Sequence, residues 1–199
     1  MPERVGVPKS EDEIPILFAE TRLYDPSNKD KREIALKYCQ EVLELSEAEE
    51  GLVRLLYYSD ASIGRKHSGA FSVSQRGIRG TPQDWITNSS FMGEVVGVGR
   101  AELMGIVEAA NMAVLRLRLM AASQTFQSCE VYIFSDSEEA LSYIIDKPFS
   151  ATRPQRAALY PLYDYLARLS HELVKLRGRL IISWMPGHKH TIEGHVAAD

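Results

Sequence analysis

Four acidic side chains stand where an apolar strand or helix should be burying itself. They are Asp60 in YYSDAS, Glu102 in GRAELMG, Asp136 in VYIFSDSEEAL and Asp199 after IEGHVAA. Taken singly, each has a bland account. Asp136 suits a helix start, because Asp and Ser side chains accept hydrogen bonds from the unpaired N–H groups there. Glu102 at the beginning of a helix suits the helix dipole. Asp60 can open a turn, and Asp199 can be solvated. Brought together, the four would do different chemistry. Carboxylates packed side by side repel one another and take up protons unless cations neutralise them. Hard oxygen ligands suit Mg²⁺ or Mn²⁺ and not zinc.

Positioning these acids requires strands and helices in a particular order. Residues 1–28 are rich in Pro, charge and turn formers and read as an extended lead-in. From Lys29 to about Glu50, Ile34, Tyr38, Val42 and Leu45 recur at helical spacing, and Gly51 stops that helix. Then LVRLLYYSDAS (52–62) reads as a buried central strand, SGAFSVSQ (68–75) as its antiparallel hairpin partner, and WITNSSFMG (85–93) as a third strand. A long helix follows, with Leu103, Ile106, Val107, Ala110, Ala113, Val114 and Leu117 on one face and Glu102 in its first turn. CEVYIFSDS (129–137) is another buried strand, and Ser137 begins the next helix. From Pro154 or Pro161 to Arg177 a leucine stripe marks core packing, with Gly178 as C-cap. RLIISWMPGH (179–188) is the last strand. This order makes an α/β domain with a mixed sheet. Asp60 and Asp136 fall at carboxyl ends of strands, the rim where open α/β sheets bind ligands.

Composition narrows the class. The 199 residues are 45% hydrophobic and 25% charged, enough for a core. A net charge of −4 argues against a strongly basic nucleic-acid binder, though a local basic patch fits within that average. Two cysteines without a close pair point to a reduced intracellular setting, cytoplasm or nucleus. No secretory leader and no apolar run of ~18 residues is present, so neither export nor a membrane is expected.

The four motifs, in this order and at domain-scale spacing, resemble type 1 ribonuclease H domains. The branch attached to retroelement reverse transcriptases is the nearest in pattern, because the ending WMPGHKHTIEGHVAAD is similar to its last motif. The resemblance covers about residues 52–199. It implies an RNase H-like mixed five-stranded sheet, order 3-2-1-4-5, with helices on both faces, following an N-terminal helical extension at 1–50. It implies endonucleolytic hydrolysis of the RNA strand of RNA/DNA hybrids with two Mg²⁺ or Mn²⁺ ions, leaving a 5′-phosphate and a 3′-hydroxyl. Asp60, Glu102, Asp136 and Asp199 would be the metal ligands and, with His188, the catalytic group. In the family the last acid begins a final helix, which the domain at 51–199 is expected to lack.

Several positions depart from that pattern. His188 matches the family's mobile His by its Pro-Gly-His context and lies eleven residues before Asp199, but His190, nine before, stays open as the alternative. Ala61 replaces the usual Gly after the first acid, although Ser62 matches. Val98 and Gly99 stand where cellular enzymes carry an Asn pair that grips RNA 2′-hydroxyls, and Glu138 stands for a Gln, adding repulsion beside phosphate. Ser62, Arg65, Lys66, Arg100 and Ser137 are the candidates for holding nucleic acid; solvated surface is the plainer account of the cations. Trp85 and Trp184 read as core or sheet-face residues. Residues 1–50 are left for contacts with protein partners. The competing expectation is a catalytically impaired RNase H-like module kept as a scaffold; a DNA-directed nuclease of the same superfold is a third.

Overall fold

The computed structural model describes residues 15–25, 27–45, 48–49, 51–64, 68–76, 85–94, 97–123, 126–146 and 153–187, with eleven elements. They are β1 (Ala19–Arg22), α1 (Lys31–Glu44), β2 (Ala48–Glu49), β3 (Leu52–Ile63), β4 (Ser68–Arg76) and β5 (Trp85–Glu94), then α2 (Val98–Ser123), β6 (Ser128–Ser135), α3 (Glu138–Asp146), α4 (Arg153–Lys175) and β7 (Gly178–Trp184).

One sheet runs β1-β7-β6-β3-β4-β5, with the two-residue β2 pairing with β3 off that path. The pairs β1–β7, β7–β6 and β6–β3 are parallel, whereas β3–β4 and β4–β5 are antiparallel. Counted from β3 as the first of five, the order is the expected 3-2-1-4-5, and helices cover both faces. The sheet is larger than expected by β1 and β2, both from the segment before β3. Four residues, Ala-Glu-Thr-Arg, show no apolar alternation, so β1 was invisible to patterning; it is an edge strand held by its parallel pairing with Leu180–Ser183 of β7.

Alternation along the central strands sends side chains to two cores. Val53, Leu55 and Tyr57 of β3, with Val131 and Ile133 of β6 and Leu180 and Ile182 of β7, pack with α2, α3 and α4. The intervening Leu56, Tyr58, Tyr132, Phe134 and Ile181 pack with α1. Both faces of β3 are buried, which is why its sequence is an almost unbroken apolar run.

Four local expectations change. The buried stripe of α1 is Ala35, Cys39 and Val42, while Ile34 is exposed; the Cys39 Sγ lies 3.1 Å from Tyr58 Oη. The helix α2 starts at Val98, so Glu102 lies in its second turn, beyond the reach of the terminal dipole. The helix α4 starts at Arg153 and carries Pro161 inside it. The left-handed residue ending α4 is Arg177 (φ 57) and not Gly178. Gly178 is instead required by packing, since a Cβ there would come within 2.7 Å of Cys129 Sγ and 2.9 Å of the Leu173 carbonyl. No described helix is long and apolar enough to cross a membrane.

Candidate metal centre and nucleic-acid interface

The parallel ladder between β3 and β6 ends on the pair Ser59–Ser135. One residue further along each chain is an aspartate, Asp60 on β3 and Asp136 in the two-residue link before α3. Register alone therefore delivers two carboxylates to one point on the rim. The third arrives on α2, which lies across β3. Gly105 permits that approach: a Cβ there would stand 3.2 Å from Ser59 Cβ. With the helix this close, Glu102, one turn earlier, reaches the same rim. Ligand oxygens of Asp60, Glu102 and Asp136 all lie within 4.8 Å of one another.

The electrostatics of the cluster centre on Glu102, only 4% exposed. Burial, then the nearby Asp136 and Asp60, push its carboxyl from 4.5 up to about 9; a backbone hydrogen bond from Ala61 acts weakly in the opposite sense. Glu102 Oε2 is buried and has no hydrogen-bond partner among the described residues. A buried acceptor left without a donor costs free energy. A divalent cation coordinated by three carboxylate oxygens satisfies that atom and removes the mutual repulsion, so this donor set fits a hard metal ion. Asp60 is differently supported: its Oδ1 accepts the Ala61 N–H at 2.8 Å.

Described contacts hold the backbone of Asp136 and the start of the helix that follows it. Ser137, not Asp136, caps α3, its Oγ accepting the Ala140 N–H at 3.1 Å. The Trp184 indole Nε1 donates to the Asp136 carbonyl at 3.0 Å. Gly187, just after β7, lies so close that an added Cβ would run into Asp136 Oδ2. The Pro-Gly step of the last motif thus belongs to the site through its backbone.

The remaining candidates are distributed unevenly. Ser62 is exposed two residues beyond Asp60 on β3, and Arg100 lies partly buried in the first turn of α2. Ser137 has the capping role just given. Arg65, Lys66, His188 and Asp199 lie outside the described residues. Trp184 is buried in the core, and Trp85 packs edge-on against Tyr58 at 5.1 Å on the α1 face, as sheet-face residues. Glu138 does not stand as an uncompensated charge: Lys31 Nζ of α1 lies 2.8 Å from its Oε1. Sequence offered no signal for that pair, whose members are 107 residues apart. Glu139, its neighbour, places its carboxylate against Gly99, where an added Cβ would come within 2.6 Å.

No family model matches the sequence, and no curated protein matches it. Solved structures with a similar course of the chain include LC11-RNase H1 in complex with an RNA/DNA hybrid, with a TM-score of 0.47 and 18% identity over 73% of this chain and 91% of that one. RNase H1 from the halophilic archaeon Halobacterium salinarum NRC-1 gives a TM-score of 0.42 and 15% identity over 73% of this chain and 93% of that one. The PFV RNase H domain gives 0.47 and 12% over 73% and 88%.

Proposed function

We propose that this chain is a metal-dependent endonuclease that hydrolyses the RNA strand of RNA/DNA hybrids. What supports the reading above all is the convergence, within 4.8 Å, of three carboxylates that belong to three motifs of one ordered pattern. Their spacing along the chain has no other evident reason to bring them to one point. Two divalent ions, Mg²⁺ or Mn²⁺, would supply water activation and stabilisation of the leaving 3′-oxygen. Asp60, Glu102 and Asp136 would hold them, with Asp199 as the fourth ligand and His188 as the group that moves a proton. The chain's own part is to fix oxygens. Ser59 and Ser135 set the separation of the two aspartates, α2 carries Glu102 into the buried side, and Gly187 leaves room for Asp136. Ser62 and Arg100 would contact the substrate backbone near the rim, together with Arg65 and Lys66.

A second reading is favoured by one observation. The Glu139 carboxylate lies against Gly99, a position where the cellular enzymes of the resembling family carry one of the Asn pair that grips RNA 2′-hydroxyls. An anion there suits a module that binds nucleic acid or protein without cutting. One experiment separates the two: the full chain is incubated with a fluorescent RNA/DNA hybrid in Mg²⁺ or Mn²⁺. Cleavage with 3′-hydroxyl ends, abolished in Asp136→Asn, is the expected result. No cleavage at any metal concentration, or equal cleavage by the variant, gives the scaffold reading the better claim.

A further inference from the structure

Lys31 opens α1, distant in sequence from every residue of the metal centre. Its Nζ lies 2.8 Å from Glu138 Oε1 and 5.2 Å from the centre of the Trp184 ring. The lysine side chain is only 18% exposed. The ammonium is thus held between a carboxylate and an aromatic face. Both of these partners flank Asp136. Glu138 is the first residue of α3, two positions on, and the Trp184 indole holds the Asp136 carbonyl at 3.0 Å. Asp136 itself lies in the short link between β6 and α3, so its direction depends on how α3 and the end of β7 are seated. Lys31 joins those two elements.

We propose that Lys31 is a positioning residue for Asp136: by tying the first turn of α3 to Trp184 at the end of β7, it sets the carboxylate for cation binding. The helix α1 is then part of the metal centre as well as the cover of one sheet face. This rests on the metal-centre reading given above.

Two effects of removing Lys31 oppose each other, which makes the inference testable by sign. Loss of a positive charge leaves the rim more negative, and Coulomb attraction alone would then tighten cation binding. Loss of the tie would loosen it. The measurement is calorimetric titration of the full chain with Mn²⁺, with Asp136→Asn as the control that the heat reports on this cluster. Lys31→Met is expected to weaken Mn²⁺ binding about tenfold, the order found when groups that orient metal ligands are removed. Lys31→Arg, which keeps the charge and can reach the same carboxylate, is expected to stay within about threefold of the parent. In a Glu138→Gln background the tie is already open, so adding Lys31→Met should change the affinity less than about twofold. Should Lys31→Met fail to fold, Lys31→Ala, which loses the same charge and the same tie, takes its place, with Mn²⁺ binding weakened if the inference holds and unchanged or tighter if it does not. Unchanged or tighter binding in a folded Lys31→Met chain overturns the inference and leaves the nuclease reading intact. A parent chain that binds Mn²⁺ yet leaves hybrid uncut removes the nuclease reading and leaves the tie standing.

Discussion

Glu102 is where the site's chemistry is most exposed to measurement. Its carboxyl is raised from 4.5 to about 9 by burial and by two neighbouring acids. Between those values the folded chain holds a proton that the unfolded chain has released, so stability falls as pH rises through the window and levels off above it. Without metal, melting temperature should therefore drop between pH 5 and pH 9, and Glu102→Gln should remove part of that slope, on the order of 5 °C for a domain of this size. Differential scanning calorimetry of both chains in chelator makes the comparison; parallel slopes would mean that the carboxyl ionises normally. The same proton must leave when a cation binds, so Mn²⁺ affinity should climb with pH, by up to about tenfold per unit below pH 9. A second residue-level expectation concerns Gly187. Its substitution by Ala places a methyl group against Asp136 Oδ2. Mn²⁺ binding should weaken by about tenfold, while the melting temperature of the metal-free chain moves little, because neither group belongs to the core.

At the level of elements, the contact of α2 with β3 sets the distance between Glu102 and Asp60. Gly105 is its closest point, 3.2 Å from Ser59 Cβ once a Cβ is added. Alanine there gains helix propensity and loses a few tenths of an ångström of fit, two effects that roughly cancel. Valine cannot be accommodated by so small a shift. Gly105→Val should destabilise by about 2 kcal/mol through overpacking and weaken Mn²⁺ binding at the same time, read by urea unfolding and by titration. Unchanged affinity would mean that Glu102 finds the cluster without close approach of the helix. Much of this geometry was legible beforehand. Strong alternation and long apolar stripes marked β3, β4, β6, α2 and α4, and motif order placed three acids on one rim. What escaped notice carries no pattern of its own. The strand β1 is four unpatterned residues, the turn of α1 is decided by a small Ala and Cys, and Lys31–Glu138 joins residues that only the fold makes neighbours. Even Glu102 stands one turn deeper in its helix than the sequence suggests, because nothing in VGVGR announces that the helix begins at Val98.

Across the whole molecule, the segment before β3 is tied to the same sheet that carries the metal centre. The strand β1 forms the edge beside β7, and α1 covers Leu56, Tyr58, Tyr132, Phe134 and Ile181. These five side chains include three aromatics, and without α1 they would make a contiguous apolar surface of the kind that soluble monomers seldom leave open. Removing residues 1–45 would also strip β7 of its neighbour and turn a paired strand into an open edge, a template for association with other chains. The shortened chain is therefore expected to bind a hydrophobic dye and to associate or precipitate, even though every carboxylate of the site is still present. Its affinity for Mn²⁺ should fall with the loss of Lys31, so a site defined by residues 60–199 would fail for want of a helix outside it. Light scattering and dye binding on the shortened and full chains decide the matter. A monodisperse shortened chain, melting cooperatively and holding Mn²⁺ as tightly as its parent, would show that the sheet tolerates an uncovered face and that α1 is ornament to the centre, not a component of it.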